Sequence, residues 1–186
     1  MSGTLFVKFV KPYLTVVLLA LEVTVVHAQK SLFQLSLTPR FALQSENTTI
    51  HGVSLGVWSQ NPQHGVALGV VNGSTGQSSG FTWAVLANYD ESYSGVALSM
   101  VNISHKSFQG WQGGLVNYSE GTFGGLQSGW VNYSEDIHGV QWGLINYTEN
   151  LRGMQVGLLN IARNNPWFKE FPSKLATGDT FVNWSF

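Results

Sequence analysis

The chain has no cysteine, which removes disulfides, thiol nucleophiles and Cys-based zinc sites together. Charge is almost as scarce. Asp, Glu, Lys and Arg make up 10% of the 186 residues, against about 25% in an ordinary globular protein. A soluble monomer relies on surface charge to stay dispersed, so the shortage favours a surface that does not mainly face water. No convergent set of acid, base and nucleophile stands out, and no catalysis or cofactor is expected. What the chain has instead is glycine, 21 in all, and aromatic residues at 13%.

The first 28 residues read as an export signal. Lys8 and Lys11 form a short basic region, "YLTVVLLALEVTVV" an apolar core, and "VHA" ending at Ala28 a cleavage site. The rival reading is a retained anchor, but the uninterrupted run is shorter than the ~20 residues a spanning helix needs. Residues 29–186 form the second unit, a repeat-built β domain. It carries seven Lys+Arg against nine Asp+Glu, a net charge of −2, so no basic patch suggests nucleic acid. An exported chain without cysteine fits a bacterial envelope.

A repeat tiles residues 52–162. Aligned on one Asn, its units carry Asn72, Asn88, Asn102, Asn117, Asn132, Asn146 and Asn160, with Ser59 in the first. Seven residues earlier stands Gly52, Gly65, Gly95, Gly110, Gly125, Gly139 or Gly153, with Phe81 as the exception. Three residues earlier stands Gly56, Gly69, Gly114, Gly129, Gly143 or Gly157, with Val85 and Ser99 in the other two units. The last two units are the most regular: Gly139, Gln141, Gly143 and Asn146, then Gly153, Gln155, Gly157 and Asn160. Each unit alternates with period two, as a strand does. Val140, Trp142 and Leu144 fall on one face, and Gln141, Gly143 and Ile145 on the other. "SEGTFG", "SEDIHG" and "TENLRG" read as turns between units.

Two all-β architectures accept a strand of about nine residues followed by a short turn. One is an antiparallel up-and-down β-barrel, whose membrane-crossing strands run to nine to eleven residues. The other is a β-solenoid, each unit one coil with its Asn in a ladder, a reading that near-constant spacing favours slightly. The ending "FVNWSF" tips the expectation towards the barrel. Trp184 and Phe186 there resemble the alternating final strand that outer-membrane barrels show their assembly machinery. "SLFQLSLT" at 31–38, eight repeat strands and this last one would make about ten.

The units "GVQWGLIN" and "GMQVGLLN", with the tail "NNPWFKEFPSKLATGDTFVNWSF", are similar to bacterial surface-repeat proteins over residues 31–186. The resemblance implies a signal-bearing envelope protein, and it brings no catalytic residues. The expected function is an outer-membrane or cell-surface protein with a structural or surface-interaction role. Its partners would be membrane lipid and the assembly machinery. The alternative is an exported soluble solenoid that binds glycan or a host protein.

Other motifs have plainer readings. "GVSLG" at 52–56 matches a hydrolase nucleophile elbow, but Ser54 occupies a repeat position that Ala67, Ala97, Gln112 and Gln141 fill elsewhere. Seven Asn-x-Ser/Thr triplets, at Asn47, Asn72, Asn102, Asn117, Asn132, Asn146 and Asn183, are mostly the repeat Asn followed by its turn. His51 and His64 would stack on adjacent coils of a solenoid and could bind metal there. Trp58, Tyr89, Tyr118, Tyr133 and Tyr147 sit near strand ends, where a barrel places its girdle. Pro166 and Pro172 exclude a crossing strand from 162–179. A short helix or ordered loop is expected there, with Trp167, Phe168 and Phe171 covering the barrel mouth.

Overall fold

The computed structural model describes residues 29–186, so the signal-peptide reading of residues 1–28 lies outside the described residues. The described chain is all β. Seven strands form one sheet system in the order β2-β1-β3-β4-β5-β6-β7. They are β1 (Lys30–Thr38), β2 (Phe41–Ala42), β3 (Thr49–Gln60), β4 (His64–Leu98), β5 (Val101–Gly113), β6 (Val116–Ala162) and β7 (Gly178–Ser185).

Pairing between successive units is parallel and in register. Leu55 lies beside Leu68 and Gly56 beside Gly69, then Asn88 beside Asn102 and Asn102 beside Asn117. A barrel of alternating hairpins requires antiparallel neighbours. The expected ten-stranded antiparallel barrel is therefore wrong, and the chain winds as a β-solenoid of short coils.

The segments read as turns also change role. "SEGTFG", "SEDIHG" and "TENLRG" all lie inside β6, a continuously extended segment of 47 residues. They bring Phe123, Ile137 and Leu151 into the core. Each unit is thus a whole coil rather than a strand followed by a turn.

Four rows of side chains fill the coil. Phe108 stacks on Tyr93 at 5.7 Å and on Phe123 at 5.3 Å between ring centres, and Ile137 and Leu151 continue the row. The other three rows are polar. One holds Gln112, Gln127, Gln141 and Gln155; the next is the repeat Asn; the last is Ser74, Asp90, Ser104, Ser119, Ser134 and Thr148. Sequence alternation placed Gln141 correctly on the face opposite Trp142. It misplaced Ile145, which points outward at 42% exposure, beside Leu144 at 47%. A corner at Gly143 breaks the alternation.

Burying amides costs a few kcal/mol each unless they are bonded, and here the coil spacing bonds them. Asn102 Nδ2 donates to Asn117 Oδ1 at 2.9 Å and to the Gly113 carbonyl at 3.1 Å. The pattern repeats from Asn117 to Asn132 and from Asn146 to Asn160, each at 2.8 Å. Such ladders of identical amides are a recurrent way for stacked strands to satisfy themselves.

One glycine row sets how closely coils approach. Gly80, Gly95, Gly110, Gly125, Gly139 and Gly153 have φ between 120° and 154°, and a Cβ on any of them would collide with the carbonyl of the glycine one coil earlier. Gly80, rather than the aligned Phe81, fills this row in the third unit. That unit holds one extra residue between its glycine and Asn88, and it buries both Thr82 and Ala84.

The C-terminal segment is a cap. No helix forms in 162–179; turns lead to β7, which runs antiparallel to the last coil and pairs Gln155 with Asn183 and Val156 with Val182. The outer edge of β7 is covered in turn, since Leu175 N–H donates to the Trp184 carbonyl and Phe186 N–H to that of Ser173. An unpaired edge strand is a template for aggregation, and this fold closes that end.

Candidate functional site

Outward-facing positions divide the solenoid into two unlike edges. Around the corner at Gly143 and its equivalents run five outward rows, represented in one unit by Val140, Trp142, Leu144, Ile145 and Tyr147. None of these rows holds a charged residue in any of the eight units. Large side chains stand open to solvent there, with Trp142 at 64%, Trp130 at 63% and Leu158 at 60% exposure. Seven coil-to-coil steps at about 4.8 Å each make the edge roughly 34 Å long. The opposite edge carries the charge: Glu91, His105, Lys106, Glu120, Glu135 and Glu149.

Tyrosines mark one boundary between the two edges. Tyr118, Tyr133 and Tyr147 stack at 4.8 and 5.4 Å. Tyr147 donates from its hydroxyl to Glu149 Oε1 at 2.7 Å, and Arg163 binds the same carboxylate at 3.0 and 3.1 Å. That hydrogen bond raises the Tyr147 pKa and, together with Arg163, lowers that of Glu149. Further along, Trp58 Nε1 donates to the Tyr89 hydroxyl at 2.8 Å, which donates to Gln60 at 3.0 Å. The expected membrane girdle at strand ends is thus a row running along the solenoid, with apolar side chains on one flank and charge on the other.

The repeat residues line the interior ladders and the glycine rows. Gln141, Asn146, Gln155 and Asn160 are fully buried in the ladders, Gly139 and Gly153 belong to the close-approach row, and Gly143 and Gly157 form corners where a Cβ would strike the preceding coil. The Gln ladder donates in the opposite sense to the Asn ladder, from Gln155 to Gln141 at 2.8 Å and from Gln141 to Gln127 at 2.9 Å. Ser54 is buried with no partner for its hydroxyl, which is no geometry for a nucleophile. Six of the seven glycosylation triplets have their Asn buried at 3% exposure or less, Asn47 being the exposed one.

His51 and His64 do lie next to one another, with ring centres 5.2 Å apart, but the rings are tilted by 31° and not stacked. Among the described residues, however, no group of three His, Cys, Asp or Glu side chains could hold a metal ion. Trp184 and Phe186 belong to the cap. Trp184 Nε1 donates to the Pro172 carbonyl at 2.8 Å, while the Phe186 side chain is 82% exposed. Their reading as an assembly signal rested on a barrel-closing strand, which β7 is not. Trp167, Phe168 and Phe171 are likewise exposed, and there is no barrel mouth for them to cover.

The cap does help form a cleft of about 840 Å³ against the charged edge, lined by Asp136, His138, Asn150, Arg152, Asn164 and Lys174 among others. Several of its polar groups are already engaged. Asn164 donates to Asn150 at 2.8 Å, Asn150 to Asp136, and Lys174 pairs with Glu170 at 2.8 Å.

No protein-family model, curated protein or solved structure matches the chain.

Proposed function

We propose that this chain is an exported, non-catalytic scaffold of the bacterial envelope that lies with its apolar edge against a lipid surface. The observation that carries the reading is the five charge-free outward rows, the last of which holds the stacked Tyr118, Tyr133 and Tyr147, with the Tyr147 hydroxyl bonded to Glu149 on the charged side. Amphipathic aromatics at the margin of an aliphatic strip suit the boundary between acyl chains and headgroups. The largely polar interior supports the same conclusion, because among the described residues nothing covers the large side chains of the apolar edge. An exposed apolar strip of this length marks an interaction surface. The stacked tyrosines weigh against glycan as the ligand, since sugars stack on open ring faces and these faces cover one another.

Co-sedimentation of the 29–186 chain with zwitterionic vesicles tests this. Binding should be strong and little affected by salt, because no basic patch contributes. Trp130→Glu combined with Trp142→Glu, both at exposed sites, should abolish binding while leaving the circular dichroism spectrum unchanged. A wild-type chain that stays in the supernatant as a monomer would refute lipid as the partner.

A further inference from the structure

Among the described residues, Asp90 is the only charged residue with a buried side chain, at 2% exposure, and no Lys, Arg or His is buried with it. Its Oδ1 accepts from the Ser74 hydroxyl, but Oδ2 has no partner. Three residues on, the Tyr93 hydroxyl is also buried and unpartnered. Both groups line a cavity of about 10 Å³, enclosed further by Ser59, Asn61, Asn72, Ser74 and Thr82. That volume admits one sphere of water size. The site lies where the ladders are irregular, beside the unit with the extra residue. There Asn72 donates to Thr82 Oγ1 at 3.1 Å and Thr82 to Asn88 Oδ1 at 2.8 Å. Two basic side chains of the following coil are engaged on the surface instead: His105 bonds Glu120 at 2.8 Å and Lys106 pairs with Glu91 at 3.0 Å.

We propose that this cavity binds one small, hard monovalent cation of the sodium class, held by Asp90 Oδ2 and the oxygens around it. The inference is independent of the lipid reading. A carboxylate in the core needs a counter-charge or must stay protonated, and a water molecule would supply hydrogen bonds without the charge. The acceptors on offer are amide carbonyls, hydroxyls and one carboxylate, while the amide nitrogens of Asn61, Gln63 and Asn72 donate to other acceptors; such oxygens suit a hard ion and offer nothing to a soft one. One carboxylate balances one positive charge, whereas calcium sites usually assemble several carboxylates among six to eight oxygens.

Thermal unfolding of the whole protein at pH 8 in matched sodium, potassium and choline chloride tests the site. Sodium should raise Tm by about 4 °C or more over choline, with potassium weaker. In Asp90→Asn, which keeps the shape and removes the charge, the sodium advantage should vanish. Tyr93→Phe, which preserves the stack on Phe108, should reduce it. As a readout independent of the variants' folding, the sodium-23 resonance should broaden with wild-type protein and sharpen when lithium competes. Equal melting in all three salts, a sodium advantage that survives in Asp90→Asn, or an unbroadened resonance would each overturn the site and leave water or a proton in the cavity.

Discussion

Asn132 Nδ2 donates to Asn146 Oδ1 at 2.8 Å, one coil further along, and its second N–H reaches the Trp142 carbonyl at 3.0 Å. One side chain thereby joins two coils and satisfies a backbone acceptor. Asn132→Ala should cost about 3–5 kcal/mol, because it leaves these acceptors buried without donors and opens a cavity. Urea unfolding checks this. Asn132→Leu, which restores the volume but not the bonds, should recover little of the loss.

Neighbouring glycines should behave very differently. Gly125 has φ 122° and a Cβ there would meet the Gly110 carbonyl, so Gly125→Ala should destabilise by about 2 kcal/mol or more. At Gly124 a Cβ would meet only the far end of the Gln109 side chain, at 3.3 Å. Gly124→Ala should stay within about 0.5 kcal/mol of wild type. Equal losses at both positions would show that coil spacing is not what the row enforces.

Burial raises the Asp90 pKa from 3.8 to about 7, against smaller lowering effects from the Ser74 bond and His105. A folded-state pKa above the unfolded one means that folding takes up a proton. In choline-based buffer, the stability that Asp90 contributes should therefore be fully present below about pH 4, fall by as much as about 4 kcal/mol through the window up to about pH 7, and change no further above it. Asp90→Asn should remove the slope, as chemical denaturation at successive pH values would show.

Removing residues 163–186 takes away β7 and leaves the last coil's edge unpaired. The truncated chain should form end-to-end oligomers, visible by sedimentation velocity, where the full chain does not.

The row structure was legible in the sequence because each Asn and Gln must meet its own kind one coil away. The handedness of pairing was not legible. A strand with Gln141 on one face and Trp142 on the other reads alike whether its neighbour is parallel or antiparallel, and whether Gln141 faces a lumen or a core. Residue type did not tell Phe123, fully buried, from Trp142, mostly exposed. The polar neighbours of Phe123 in "SEGTFG" made a core segment look like a turn. In the third unit the one-residue insertion moved the glycine to Gly80, a shift that alignment on Asn88 alone concealed. The ending "FVNWSF" alternates as well in a cap as in a closing strand, and only the pairing with Gln155 and Val156 separates the two.

The lipid contact of the apolar edge can be measured directly, because a chain without cysteine accepts a single spin label at a chosen site. Leu144→Cys places the label on the apolar edge and Glu135→Cys places it on the charged one. With zwitterionic vesicles present, the label at 144 should become accessible to oxygen and shielded from a water-soluble nickel relaxant. The label at 135 should remain accessible to nickel. If both labels keep their aqueous accessibility when vesicles are added, the apolar edge does not lie on lipid.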